Sequence, residues 1–274
     1  MAYVVLVLAV AGGLWLAWRV RQRRQRQADL LASPLSQAER EIVVREVPLV
    51  RRLPEALQAR LEGRINRFLD QVDFVGCNGL EVTEEMRLSI AAQACLLIAN
   101  NDLWYDNLTS VLIYPGAFKS RQARRSGYVV TEREVVRSGE SWMRGPVILS
   151  WAHAHLGAAN DHDGHNVVFH EFAHQLDDLS GRTDGVPALD TAEDVMAWRR
   201  TFAAAQERHA RAVGAGQRTV IDAYGAEGPQ EFFAVAVEAF LETPGALKRA
   251  EPEVYARLAE LLGLEPVEWA AQGR

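Results

Sequence analysis

At 274 residues, 49% hydrophobic and 24% charged, the chain has the composition of a globular protein that buries one sizeable core or two small ones. Arg19, Arg21, Arg23, Arg24 and Arg26 sit together near the N-terminus, leaving 25 basic residues against 36 acidic ones elsewhere, a balance of −11. So acidic a body lacks the basic footprint that nucleic-acid binding needs, and that class is excluded.

In chain order, residues 1–18 are uncharged and strongly apolar, and the arginines follow at once. As a helix this run is about 27 Å long, against about 30 Å of bilayer hydrocarbon. The sequence therefore predicts a transmembrane helix over residues 1–18, with Trp15 and Trp18 at the interface. A cleaved signal peptide would carry its charge before the apolar run and a small-x-small site after it, and the order here is the reverse. The positive-inside rule places the arginines, and all that follows, in the cytoplasm. The expectation is a single-pass protein of the inner (cytoplasmic) membrane. Residues 19–50 read as a basic, polar tether broken at Ser33-Pro34, and residues 51–274 as the folded domain. Cys77 and Cys95 fit a reducing compartment without a disulfide framework.

Residues 53–70 predict an amphipathic helix entered at Pro54. Thr83, followed by Glu84 and Glu85, caps the next, which runs to about Asn100 and buries Met86, Ile90, Ala94, Leu97 and Ile98. Strand signals follow at Ser110–Tyr114, at 128–131 and at Val147–Ser150, the last read as an edge strand along which an extended peptide pairs. Lys119, Arg121, Arg124 and Arg125 read as a solvated basic loop. From Gly164 onward the signals are helical, with further helices at 192–211, 230–241 and 252–262. Strands preceding a helical half predict an α+β fold. His153, His155, His162 and His165 crowd the stretch before residue 170. They read as a solvated loop, with a substrate rim, a pH response or an accessory metal as the functional alternatives.

Residues 170–174 read His170-Glu171-Phe172-Ala173-His174. Residues four apart share one helix face, so the two imidazoles can bind a single Zn²⁺, and Glu171 can take the proton of a water that the metal activates. Asp177, on the same face, is placed to orient a ligand imidazole. Hydrolytic zinc sites have three protein ligands, and the third is not supplied nearby. Asp177 and Ser180 stand where the metzincin pattern needs Gly and His. Downstream, Glu231 and Glu238 lie seven residues apart on one face of an apolar helix, and spacing does not choose between them.

The chain resembles the Mlc titration factor A family of zinc peptidases from about residue 75 to 262. The resemblance is carried by Ser138-Gly139-x-Ser141-Trp142, Gly145-Pro146-Val147-Ile148-Leu149-Ser150-Trp151 and Gly164-His165-Asn166. It continues in His170-Glu171-x-Ala173-His174-x-Leu176-Asp177, Gly185-Val186-Pro187, Ile221-Asp222-Ala223-Tyr224 and Glu231-Phe232-Phe233-Ala234-Val235. It implies a zincin-like catalytic domain, its pentad helix under a small mixed sheet, with Zn²⁺ held by His170, His174 and Glu231. It further implies that Tyr224 is an active-site residue, that the activity is peptidase and aminopeptidase-like, and that a sugar-responsive transcriptional repressor is a partner. A phenol at Tyr224 would stabilise the developing oxyanion, and Glu238 is then left to support a ligand or pair helices. The rival is a regulatory binding protein that sequesters a transcriptional repressor or another cytoplasmic partner, with cleavage incidental. A zinc amidohydrolase with a cysteine ligand is disfavoured, because neither cysteine lies near the pentad.

Overall fold

Caps and prolines in the sequence place most of the helix starts. In the computed structural model, which describes residues 2–126, 129–137, 139–141 and 145–272, α1 (Ala2–Ala32) is followed by a capping box. Ser36 accepts from the Glu39 amide while the Glu39 carboxylate accepts from the Ser36 amide, and α2 (Gln37–Glu46) begins. A 3₁₀ turn at Pro48–Arg52 leads to α3 (Glu55–Gln71), then β1 (Asp73–Gly76) and the Thr83-capped α4 (Glu84–Leu96). Next come β2 (Ser110–Tyr114), β3 (Phe118–Ser126), β4 (Val129–Arg137), β5 (Gly139–Ser141) and β6 (Val147–Ser150). The rest is helical: α5 (Trp151–Ala159), α6 (Val167–Asp178), α7 (Ala192–Gly214), α8 (Pro229–Glu242), α9 (Pro244–Ala250), α10 (Pro252–Leu262) and α11 (Pro266–Gln272). The last four each open on a proline, which loses nothing where the helix has no amide partner to offer.

One sheet runs in the order β1-β2-β6-β5. Its first three strands are parallel, and the short β5 closes it antiparallel, Gly139 opposite Leu149 and Ser141 opposite Val147. Parallel neighbours need a crossover, and α4 makes the one from β1 to β2. Val111, Ile113, Val147 and Leu149 are buried on the sheet, and the core continues into two aromatic clusters. Phe172 of α6 packs edge-on to Tyr105 at 5.2 Å and lies 5.8 Å from Phe68 of α3. Trp198 stacks on Phe202 within α7 at 4.1 Å and meets Phe233 of α8 edge-on. The first cluster seats α6, the second seats α8, and the two helices face each other between them. Truncating Phe172 would remove about 3–5 kcal/mol of that seating.

Four expectations are corrected. The fold is mostly helical around a small sheet of three parallel strands and one short antiparallel edge, not the α+β arrangement of a strand half and a helical half. Two of the long strands, β3 and β4, leave that sheet as a separate antiparallel ribbon, in which Arg121 sits opposite Glu134. Lys119, Arg121, Arg124 and Arg125 therefore belong to a strand and not to a loop, because the valine-rich β4 offers them a pairing partner. Val147–Ser150 is an inner strand between β2 and β5, so the free edges belong to β1 and β5.

The fourth correction is at the N-terminus. Among the described residues no helix is long and apolar enough to cross a membrane, which overturns the transmembrane helix and the single-pass inner-membrane placement. The helix does not end with its apolar run at Trp18. It continues unbroken through the five arginines to Ala32 and lies against α3, where Arg26 pairs with Asp70 and the Leu31 carbonyl rests on Gly63. A methyl group at Gly63 would overlap that carbonyl. Met1, Tyr128, Ser138 and Trp142, which figure in the sequence reading, lie outside the described residues.

Candidate metal centre

Helix α6 begins at Asn166, whose side-chain oxygen accepts from the amides of Val168 and Phe169, both at 3.1 Å. Its Nδ2 donates to Gln93 Oε1 and to Glu242 Oε1. Gly164 turns the chain into this cap with φ +82°, a left-handed conformation that suits glycine, and its amide donates to Glu242 Oε2 at 3.0 Å. From this fixed start Val168, Phe169, Phe172, Ala173 and Leu176 face the core. His170 and His174, one turn apart, stand edge to face with ring centroids 4.9 Å apart.

Helix α8 brings Glu231 to them. Its Oε2 lies 3.2 Å from His170 Nε2 and 3.4 Å from His174 Nε2. One donor atom from each of the three residues falls within 4.8 Å of the others, close enough to hold a single metal ion. Two imidazole nitrogens and a carboxylate oxygen, all partly buried, form a donor set that suits zinc. Burial alone would raise the pKa of Glu231, but hydrogen bonds from His170 and His174 override it and bring it down to about 2. Burial works against a charged His170 ring, and contacts with Glu231 and Glu238 outweigh it, holding the imidazole well above the ordinary histidine range.

Glu171 is buried beneath β5, and Gly139 is the point of closest approach. A Cβ at Gly139 would fall 2.4 Å from Glu171 Oε1 and 2.6 Å from a Val167 methyl. Tyr224 sits in a 3₁₀ turn, Ala223–Ala226, with its ring 5.9 Å from that of His170 and 47% of its surface exposed. The structure thus brings together His170, Glu171, His174, Glu231 and Tyr224, from segments up to 61 residues apart.

Asp177 makes no hydrogen bond to a ligand ring: its Oδ1 and His174 Nδ1 are both buried without a hydrogen-bond partner, although His174 is near enough to favour the Asp177 carboxylate. Asp177 Oδ2 accepts from the Gly185 amide at 2.7 Å, and burial raises its pKa to about 6 against that bond. Glu238 takes the expected role, its Oε1 lying 2.8 Å from His170 Nδ1. The four crowded histidines diverge. His153 meets Ser150, His155 meets Glu46, His162 meets Asp161 and His165 meets Asp222, and among the described residues they form no metal-binding group.

Several supporting residues went unread in the sequence. Asp222 accepts from the Tyr224 amide at 2.7 Å and so shapes the turn. The signal was present, since an Asp two residues before a turn residue favours this geometry. His209 is buried behind the turn, 5.5 Å from the Phe232 ring, and burial lowers its pKa. Nothing local in α7 marks it. Glu242 follows Glu238 by one turn, and burial pushes it up to about 8 despite its bond from Asn166.

Residues 19–262 match the model of a family described as glucose-regulated metallo-peptidase M90. A protein of Synechocystis sp. bearing the name "uncharacterized protein" is 40% identical over 258 residues, covering 92% of this chain and 90% of that protein. Mlc titration factor A of Cronobacter sakazakii is 34% identical over 227 residues, and that of Escherichia fergusonii 31% over 226, each covering 81% of this chain and 84% of the relative.

Proposed function

The chain belongs to the M90 family of glucose-regulated metallopeptidases, and from that membership we propose that it is a zinc peptidase held by His170, His174 and Glu231, with Glu171 as general base. As a metallopeptidase it uses a metal ion and acts on peptides or proteins. The observation that carries the finer reading is the convergence of His170 Nε2, His174 Nε2 and Glu231 Oε2 beside a buried carboxylate. We propose residues 51–274 as the catalytic unit.

When bound, zinc supplies Lewis acidity that acidifies a water and polarises the scissile carbonyl. The chain's own groups do the rest. Glu171 accepts the proton of the attacking water and passes it to the departing amine. Its place under β5 limits water around the carboxylate. Tyr224, exposed at the rim and next to His170, donates its hydroxyl hydrogen to the oxygen that gains charge as the carbonyl is attacked. Among the described residues β5 is an outer strand of the sheet and its Gly139 lies against Glu171, which supports an extended peptide as the substrate form. Aminopeptidase-like cleavage is part of this proposal and follows from the family resemblance.

A regulatory partner is the second reading, favoured by the name that two relatives bear, Mlc titration factor A. One pair of variants separates the two. Glu171→Gln should keep zinc and lose hydrolysis by at least about 100-fold. Tyr224→Phe should keep zinc and lose about 100-fold in turnover. Hydrolysis of a peptide library by Glu171→Gln at the wild-type rate would sink the enzyme mechanism. Partner binding that persists in Glu171→Gln, together with full biological activity, would favour the binder.

A further inference from the structure

We propose that Glu238 is a positioning residue for the metal centre, fixing the His170 ring with one carboxylate oxygen and the start of α6 with the other. The proposal rests on the metal-binding reading of His170, His174 and Glu231. Glu238 Oε1 lies 2.8 Å from His170 Nδ1, and its Oε2 accepts the backbone N–H of Asn166, the residue that caps α6. The carboxylate is buried, on a stretch of α8 otherwise made of Phe, Val, Ala and Leu.

A carboxylate offers only acceptor atoms, so the hydrogen of the His170 contact belongs to Nδ1. The nitrogen left to bind a metal is then Nε2, and it is Nε2 that faces Glu231 at 3.2 Å. Without such a partner the imidazole is poorly held, because the second torsion of a histidine side chain has a broad, two-fold preference. A buried carboxylate is retained at an energetic cost unless hydrogen bonds offset it, and here both oxygens are used. One group therefore ties two events together. The ring cannot turn, and the end of α6 that carries it cannot shift, without breaking the same side chain's contacts.

Glu242 is the natural comparison. It lies one turn further along α8 and is equally buried. It holds the same helix end through the amides of Gly164 and His165 and the side chain of Asn166. Its hydrogen bonds reach the helix end and not the His170 ring.

The test uses the full chain stripped of metal, with zinc titrated against a chromophoric chelator. Glu238→Ala should weaken zinc binding by about 100-fold and Glu238→Gln, which keeps an acceptor but not the charge, by about 10-fold. Glu242→Gln should unfold more easily and yet bind zinc within about threefold of wild type. Nitrogen-15 spectra of the His170 ring should show Nδ1 protonated in zinc-loaded wild type. If Glu238→Ala does not fold, Glu238→Gln decides. Zinc affinity unchanged in the Glu238 variants would overturn the positioning role and leave the metal site standing. A loss in Glu242→Gln equal to that in Glu238→Gln would overturn it too, by assigning the effect to the helix end. Wild-type protein that takes up no zinc would instead overturn the metal reading beneath it.

Discussion

The general base proposed at Glu171 needs a confined carboxylate, and Gly139 is the residue that leaves it room. A methyl group there would meet Glu171 Oε1 at 2.4 Å and a Val167 methyl at 2.6 Å. The carboxylate end of Glu171 can swing away, but Val167 belongs to the first turn of α6 and yields less. Gly139→Ala should therefore displace Glu171 while leaving His170, His174 and Glu231 in place. The expected outcome is zinc content near wild type with turnover reduced by about 100-fold, the scale of a displacement of about 1 Å in a catalytic group. Metal analysis and steady-state kinetics on the same preparation check it, and wild-type turnover would show that Gly139 does not govern Glu171. At this scale His170, Glu171 and His174 were legible, because their spacing is a property of one helix. The bonds that Asp177 makes were not legible for the same reason. Spacing puts it on the ligand face, but only the folded chain shows that the Gly185 amide reaches its carboxylate and that Glu238 reaches His170.

Among the elements, α6 starts from a buried side-chain cap that is also tied to neighbouring helices. Asn166 satisfies two amides of the first turn and at the same time answers Gln93 and Glu242, all buried. Asn166→Ala should cost about 1–2 kcal/mol for the cap and a further 1–3 kcal/mol, roughly, for the buried partners left unmatched. Thr83, which caps α4 through the single Met86 amide, gives the contrast. Thr83→Ala should cost about 1 kcal/mol. Urea unfolding of the two variants checks the difference, and equal losses would mean that the polar cluster around Asn166 adds nothing beyond the cap. The Thr83 cap was readable in advance, since a Thr followed by acidic residues signals a start locally. The place of β6 was not, because strand order is set by pairing between distant segments, and β5 covers the edge that Val147–Ser150 was expected to expose.

For the whole molecule, buried carboxylates make stability depend on pH. Burial raises Glu242 from an ordinary value of 4.5 to about 8 and Asp177 from 3.8 to about 6. A carboxyl group whose pKa is raised by folding favours the native state fully below its unfolded pKa, and that advantage is lost as pH rises through the folded value. Glu231, held down to about 2, acts oppositely, favouring the native state above 4.5 and ceasing to do so as pH falls toward 2. Metal-stripped protein should therefore be most stable near pH 5 and lose stability from there to pH 8, roughly. Glu242→Gln should flatten that decline. Urea midpoints measured across this range decide it, and a decline equally steep in Glu242→Gln would show that Glu242 does not carry the effect.

The sequence by itself determined what depends on neighbours along the chain: the helix face with His170 and His174, the Glu171 carboxylate between them, the capped and proline-led helix starts, and the candidates Glu231 and Tyr224 through the family motif. Tertiary structure decided what depends on segments meeting. It set Glu231 rather than Glu238 against both Nε2 atoms, since α8 runs back along α6, with Glu231 beside His170 and His174 and Glu238 beside His170 Nδ1 and the Asn166 amide. It drew β3 and β4 out of the sheet into their own ribbon. At the N-terminus, an apolar run is read within a short window, whereas α1 extends through its arginines to lie on α3. Hydrophobic spacing records which side of an element is to be covered, and only the packed chain specifies what covers it.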